Sequence, residues 1–93
     1  MKEKQHILTL YIAGKTQKAV RAIENINKYC DEHLQDAYSL EVVDIKEHPE
    51  LAASHQIIAI PTLIKKLPEP IRVLVGDLSD KEKVLVGLNI KQA

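Results

Sequence analysis

The spacing of apolar residues predicts a strand, a helix and a second strand in the first half of the chain. A continuous apolar run over 7–13 ends at Gly14 and is typical of a strand buried on both faces, near the centre of a sheet. Thr16 is a favourable N-cap for a helix over about 17–34, whose apolar residues recur every three or four positions. The run over 38–45 predicts a second strand. Because a helix connects the two strands, we expect them to be parallel with a right-handed crossover.

Prolines divide the second half of the chain into shorter elements. A helix over about 49–55 and a third strand over about 61–67 both begin at a proline, which has no N–H to donate and is tolerated at the first position of either element. Two further prolines, Pro68 and Pro70, form a stiff turn into a fourth strand over 71–75.

A last helix follows the fourth strand. Ser79 and Glu82 have the spacing of a capping box, and Val84, Leu85 and Leu88 then place apolar residues on one side of the helix. The predicted element order is therefore βαβαββα. Four mixed strands with helices form an α/β domain of the thioredoxin-like architecture, and we expect residues 1–93 to form one such domain.

Charge and composition narrow the class of partner. Thirteen basic and thirteen acidic residues cancel and interleave along the chain, which is unlike a protein that binds nucleic acid or an anionic membrane surface. A net charge near zero also weakens repulsion between copies and favours a homo-oligomer. The N-terminus lacks a signal-peptide pattern, and no apolar segment approaches the ~20 residues that span a bilayer, so we expect a cytoplasmic protein.

A thiol enzyme on this scaffold would need a reactive cysteine at the start of the first helix, where the helix dipole stabilises a thiolate. Residues 15–18 contain no cysteine, and the chain has no Cys-x-x-Cys motif. Its single cysteine, Cys30, falls on the apolar side of the helix near the other end. We therefore expect Cys30 to be a core residue, and a thioredoxin-scaffold thiol carrier or enzyme is the disfavoured alternative.

Other patterns with chemical potential are incomplete. Gly14-Lys15-Thr16 resembles the end of a phosphate-binding loop, but Thr9 stands where that loop needs its first glycine. The four histidines are scattered, and His48 with Asp44 or Glu47 does not complete a set of metal ligands. No serine stands beside a base that could activate it. We expect no catalytic residue, no cofactor and no metal.

Nearly the whole chain resembles the KaiB family, in order and without large gaps. The matching segments include Leu10-Tyr11-Ile12-Ala13-Gly14, Val43-Asp44-Ile45, Ala59-Ile60-Pro61-Thr62-Leu63, Leu67-Pro68-Glu69-Pro70 and Gly76-Asp77-Leu78-Ser79. The resemblance implies a non-enzymatic adaptor that binds the N-terminal ATPase ring of KaiC, in competition with a related domain of a histidine kinase. A member that serves stress adaptation beside a KaiC homologue, and a purely self-associating domain, are the alternatives.

The resemblance also implies a metamorphic domain. Residues 1–46 would keep one strand-helix-strand core, whereas 47–93 would adopt either the thioredoxin-like arrangement or a βαββααβ ground state that assembles into tetramers. The local sequence is compatible with two packings, because 57–64 is rich in β-branched residues and strand-prone residues at 84–86 precede the helix-weakening Gly87. Two packings of one sequence that differ by a few kcal/mol allow a partner to select one of them.

The resemblance implies three sets of functional residues. The ATPase would dock on the end of the second strand and the segment that follows, over about 44–58. Its contacts would be Asp44, Glu50, Leu51, Gln56 and Ile58. The edge for a second partner would include Arg21 and Glu41, although Glu41 stands where a basic residue is familiar in the family. The balance between the two folds would depend on Pro61, Pro68, Pro70, Gly87 and Asn89.

Overall fold

The structure, a computed structural model, describes residues 6–34, 37–54 and 60–90, without the side chains of 52 and 54. Its elements follow the predicted order: β1 (His6–Ile12), α1 (Gln17–His33), β2 (Tyr38–Asp44), α2 (Pro49–Ser54), β3 (Thr62–Leu67), β4 (Arg72–Val75) and α3 (Lys81–Gly87). The bounds that the apolar pattern predicted for the strands and the first two helices differ from these by one residue at most. No helix in the described ranges has the length and hydropathy needed to cross a membrane.

The strands form one mixed sheet in the order β2-β1-β3-β4. β1 pairs in parallel with β2 and antiparallel with β3, and β3 pairs antiparallel with β4. Leu10 lies at the middle of this sheet, opposite Val42 on one side and Leu63 on the other. The central position predicted for β1 is therefore confirmed, and it explains why the strand lacks the polar alternation of an edge strand.

Helices α1 and α3 cover one face of the sheet. Alternate β1 residues Leu8, Leu10 and Ile12 are buried on this face, in one cluster with apolar residues of both helices. The buried helix residues of the cluster are Ala19, Ala22, Ile26, Tyr29, Cys30, Val84, Leu85 and Leu88. The β1 residues between them, Thr9 and Tyr11, are buried on the opposite face. Burial of one large apolar side chain contributes about 1.5–3 kcal/mol, so a cluster of this size contributes substantially to the stability of the fold.

Helices α1 and α3 begin with different N-cap residues. The Oγ1 atom of Thr16 accepts the N–H of Ala19 at 3.1 Å, as predicted for α1. The capping box predicted from Ser79 is wrong by one residue, because Asp80 is the N-cap of α3 and its Oδ1 accepts the N–H of Lys83 at 3.1 Å. Ser79 instead lies in the preceding turn, where its N–H donates to Oδ1 of Asp77 at 3.1 Å.

Candidate docking surface

Asp44 joins the turns that follow β1 and β2. Its Oδ1 accepts the N–H of Gly14 at 3.0 Å and the N–H of Lys46 at 2.9 Å. Gly14 has φ 75°, a left-handed conformation that favours glycine. These hydrogen bonds, that from Gly14 foremost, lower the pKa of the Asp44 carboxyl group and keep it ionised. One predicted contact residue therefore has a structural function that its position in the sequence did not reveal.

The turn from β2 into α2 is held by backbone hydrogen bonds. The carbonyl oxygen of Asp44 accepts the N–H groups of Glu47 at 3.0 Å and His48 at 3.1 Å, and the carbonyl oxygen of His48 accepts the N–H of Leu51 at 3.0 Å. Pro49 is the first residue of α2, and Glu50 in its first turn complements the positive end of the helix dipole. These bonds connect the end of β2 to α2 over a short, well-defined path.

The surface residues of 44–54, which we call the docking segment, combine charge with apolar area. Glu50 is exposed and its Oε2 lies 3.8 Å from Nδ1 of His48, while Leu51 is half-buried and Ala53 is exposed. The structure thus places Asp44, Glu50 and Leu51 along one continuous segment. The other two predicted contacts, Gln56 and Ile58, lie outside the described residues.

Arg21 and Glu41, predicted to share a second edge, lie on different faces of the sheet. Arg21 is exposed on α1, and its charge is among the lesser causes that lower the pKa of Asp77, after the hydrogen bonds from Ser79. Glu41 is exposed on β2 opposite Thr9, a residue of the face away from α1. A partner that contacts both residues would have to wrap around the edge of the sheet.

Pro61 lies where β3 and β4 are joined. It is buried immediately before β3, and its carbonyl oxygen accepts the N–H of Gly76 at 2.9 Å, just after β4. The peptide bonds that precede Pro61, Pro68 and Pro70 are cis. The three prolines therefore surround the β3–β4 pair, at its start and in the turn between its strands.

Gly87 and Asn89 lie at the end of α3 and serve different purposes. A Cβ atom on Gly87 would come within 2.6 Å of Cδ2 of Leu74, so glycine permits the close approach of α3 to β4. Asn89 has φ 60° and ends the helix: its N–H donates to the carbonyl oxygen of Val86 at 3.0 Å, and the N–H of Ile90 donates to that of Leu85 at 2.8 Å. This pair of bonds is a Schellman motif.

The single thiol is enclosed by the core. Cys30 is buried between α1 and the sheet, and burial, with a smaller contribution from the charge of Asp31, raises its pKa to about 12. The thiol is therefore protonated at neutral pH, and the nucleophilic thiolate is not significantly populated. Within the described ranges, no three side chains of the metal-ligating types come together as a candidate metal site.

Two features of the structure had no counterpart in the sequence interpretation. The hydroxyl group of Tyr29 donates to the carbonyl oxygen of Leu78 at 3.0 Å, and Nδ2 of Asn25 donates to that of Asp77 at 2.9 Å, so α1 holds the loop before α3. Lys65 is almost completely buried on the α1 side of β3, and this burial lowers its pKa. A tyrosine on an apolar helix stripe was the only hint of the first feature, and nothing in the local pattern distinguished Lys65.

The sheet, the helix order and the buried thiol define a thioredoxin-like domain without a thiol active site. Solved structures agree with this class. The solution structure of the N-terminal domain of Synechococcus elongatus SasA is similar, with a TM-score of 0.68 and 22% identity over 100% of this chain and 91% of that chain. Mitochondrial thioredoxin 3 from Saccharomyces cerevisiae gives a TM-score of 0.72 with 13% identity, over 95% and 80% of the two chains. At these identities the likeness establishes the fold.

Comparison of sequences identifies the family. The KaiB domain model matches residues 9–90. The circadian clock oscillator protein KaiB of Cyanothece sp. is 46% identical over 88 residues, covering 95% of this chain and 84% of that protein, and the KaiB protein of Microcystis aeruginosa is 46% identical over 88 residues, covering 95% and 85%. The chain belongs to the KaiB family. The family names describe a clock protein rather than an enzyme, so the predicted family and its non-enzymatic character are confirmed.

Proposed function

We propose that this chain is a regulatory adaptor that binds the N-terminal ATPase ring of a KaiC-type protein, in circadian timing or a related stress-adaptation system. The observation that carries the proposal is 46% identity to clock oscillator proteins over 95% of the chain. The enclosed thiol supports recognition rather than redox chemistry as the use of the scaffold.

The docking segment is the proposed contact surface for the ring. Backbone hydrogen bonds from His48 and Glu47 to Asp44 limit the freedom of this segment, so little conformational entropy remains to be lost on binding. Glu50 supplies an exposed charge, and Leu51 supplies apolar area beside it. Gln56 and Ile58 extend the proposed surface along the chain.

The proposal includes two further kinds of partner. A histidine kinase with a sensor domain of this fold would compete for the ring, and the likeness to the SasA N-terminal domain supports this part because two similar folds can present similar surfaces. Further copies of the chain would form a dimer or tetramer. The proposed second-partner edge with Arg21 and Glu41 requires a partner that reaches both faces of the sheet.

We also propose that the chain has two arrangements, with 1–46 constant and 47–93 able to refold. The end of α3 supports this part, because Gly87 weakens the helix and Asn89 adopts a left-handed conformation that is unfavourable for most residues. The arrangement described above would be the one that binds the ring. A ring that binds only this arrangement would then increase its population.

The test is binding of the purified chain to the cognate KaiC-type ring, measured by size-exclusion chromatography and fluorescence anisotropy. We expect a stable complex, and Glu50→Lys or Leu51→Ala should weaken it about tenfold, a loss of the size found for central interface residues. The matched control is Glu24→Lys, the same charge reversal at an exposed position of α1. No complex with the cognate ring, or equal weakening by the control, would contradict the proposal.

A further inference from the structure

Lys65 carries a positive charge into the interior of the domain. The residue is 1% exposed, and it lies opposite Leu8 of the central strand and Arg72 of β4, on the face covered by α1 and α3. A buried ammonium group is normally paired or hydrogen-bonded, because removing a charge from water is costly. In the part of the chain that the structure describes, no residue forms a salt bridge or a side-chain hydrogen bond with Lys65.

The charges that act on Lys65 and its neighbour are themselves basic. The N–H of Gly76 donates to the carbonyl oxygen of Pro61 at 2.9 Å, and hydrogen-bonded pairs recur at every second position of an antiparallel ladder. Lys65 and Arg72 are therefore such a pair, with Cα atoms about 5.5 Å apart. After burial, the charge of Arg72 is the next cause that lowers the pKa of Lys65, and the charge of Lys65 in turn lowers the pKa of His6.

His6 lies on the same face of the sheet as these two residues. It is opposite Tyr38, which packs against the core cluster on the α1 side, and it is two positions before Leu8, which is opposite Lys65. The Nδ1 atom of His6 is buried, and none of the described residues forms a hydrogen bond with it. His6, Lys65 and Arg72, which we call the basic cluster, thus come from three adjacent strands at the end of the sheet where β1 begins.

The acidic residues in the last turn of α1, which finishes at this end of the sheet, are engaged elsewhere. Oδ1 of Asp31 accepts the hydroxyl group of Tyr38 at 2.7 Å, and Oε1 of Glu32 accepts Nζ of Lys81 at 3.0 Å. Neither carboxylate is among the groups whose charge shifts the pKa of a member of the basic cluster. Within the described ranges, the cluster therefore receives no negative charge from the helix that covers it.

We propose that the basic cluster binds a phosphate group, either inorganic phosphate or the phosphate of a small ester. Lys65 supplies a buried positive charge, Arg72 an exposed guanidinium group with two parallel N–H donors, and Nδ1 of His6 a third donor. A phosphate ester carries about −1.5 to −2 charges at pH 7, which balances the two permanent cations. A carboxylate carries a single charge and leaves one of the two cations unbalanced.

The basic cluster is a local feature that is separate from the docking segment. Because the net charge of the chain is zero, its overall field does not concentrate anions, and binding depends on the cluster itself. The cluster lies where β1 and β2 begin, at His6 and Tyr38, whereas the docking segment starts where they end, at Ile12 and Asp44. Phosphate and the ring would therefore occupy opposite ends of the sheet, and the inference does not depend on the adaptor function.

The first experiment is an NMR titration of the full chain with inorganic phosphate at neutral pH, with chloride adjusted to keep the ionic strength constant. We expect saturable shifts of the amide resonances of 64–66 and 72, with a dissociation constant in the millimolar range. Phosphate should also raise the pKa of His6, followed by its ring C–H resonances, because a neighbouring anion favours the imidazolium form. A parallel titration with glycerol phosphate distinguishes the sources: binding assigns the phosphate of an ester, and its absence assigns the free ion.

Two variants test the members of the cluster. Lys65→Met keeps an apolar stem in the core without the charge, and Arg72→Met removes an exposed charge without disturbing the core. Each should raise the dissociation constant for phosphate at least about tenfold, because each removes a charge-assisted hydrogen bond. The matched control is Lys18→Met, an exposed position in the first turn of α1 whose charge acts on Asp77, and it should leave the dissociation constant unchanged.

The second experiment compares urea unfolding with and without phosphate. Phosphate stabilises folded proteins in general by its exclusion from their surface, so the informative quantity is the difference between the natural chain and Lys65→Met. At a phosphate concentration ten times the dissociation constant, specific binding should lower the unfolding equilibrium constant of the natural chain about elevenfold more than that of the variant.

The outcomes decide the proposal in each case. Absence of saturable shifts in the natural chain, equal binding by Arg72→Met, or equal weakening by Lys18→Met would overturn it. If Lys65→Met does not fold, Arg72→Met decides, since its side chain lies outside the core. A natural chain that binds the ring but not phosphate contradicts only the phosphate site, whereas one that binds phosphate but not the ring contradicts only the adaptor function.

Discussion

Asn89 offers the sharpest test of how the end of α3 is stabilised. It occupies the left-handed position of the Schellman motif at φ 60°, and the motif brings Ile90 back onto the core beside Leu85. The perturbation is a pair of substitutions, Asn89→Gly and Asn89→Ala. Glycine adopts the left-handed conformation without a Cβ clash, whereas alanine retains the clash and lacks the local hydrogen bonding of asparagine.

The expected magnitude follows from the conformation. An L-residue other than glycine or asparagine loses about 1–2 kcal/mol in the left-handed region. Glycine has a larger entropy loss on folding, which offsets about 0.4–1 kcal/mol of that difference. We therefore expect the glycine variant to exceed the alanine variant by about 1 kcal/mol in the free energy of unfolding, a factor of about five in the equilibrium constant. The free energy of unfolding of the natural chain should lie between those of the two variants.

The assay is urea unfolding followed by circular dichroism, with the slope checked for two-state behaviour. The matched control is the same pair of substitutions at Asn27, in the interior of α1. There the order should be reversed, and the alanine variant should exceed the glycine variant by up to about 1 kcal/mol in the free energy of unfolding. If alanine equals or exceeds glycine at position 89, the assigned end of α3 is wrong. If the chain has two arrangements, Asn89→Gly should also increase the ring-binding population severalfold, as measured by NMR peak intensities.

Three further predictions concern side chains that are buried or half-buried. Cys30, with a pKa near 12, should react with a thiol reagent at pH 8 only after unfolding in urea; fast labelling of the native chain would refute its burial. Burial and the charge of Lys65 lower the pKa of His6 below its ordinary value of 6.5. The folded state therefore binds fewer protons than the unfolded state, and the free energy of unfolding should rise with pH up to about 6.5. If the urea midpoint of His6→Gln changes with pH as steeply as that of the natural chain, this assignment is wrong. Tyr29→Phe leaves the carbonyl group of Leu78 without its hydroxyl donor and should destabilise the fold by about 0.5–1.5 kcal/mol in urea unfolding, and an unchanged midpoint would show that the bond contributes nothing.

The amino-acid sequence by itself determined the elements of the fold and the family. The apolar run of β1 indicated a central strand, and the helical spacing placed Cys30 on the buried side of α1. These properties depend on residues within a few positions of each other, so periodicity and capping preferences are sufficient to predict them. The KaiB resemblance likewise rested on segments that match in order along the chain, and the comparisons confirmed it.

Tertiary structure alone decided how distant residues meet. Asp44 contacts Gly14 across 30 positions and Asn25 contacts Asp77 across 52, and neither pair leaves a local pattern. The N-cap of α3 is Asp80 and not the predicted Ser79, because the preceding turn, with Leu78 at φ 62°, sets where the helix begins.

The register between strands likewise decided which residues share a face of the sheet and which backbone groups lie along its edges. This register placed Glu41 on the face away from α1 and turned the N–H and C=O groups of Val73 and Val75 away from β3. Local sequence specifies which residues alternate in a strand, whereas only the pairing of strands specifies what each alternate residue meets.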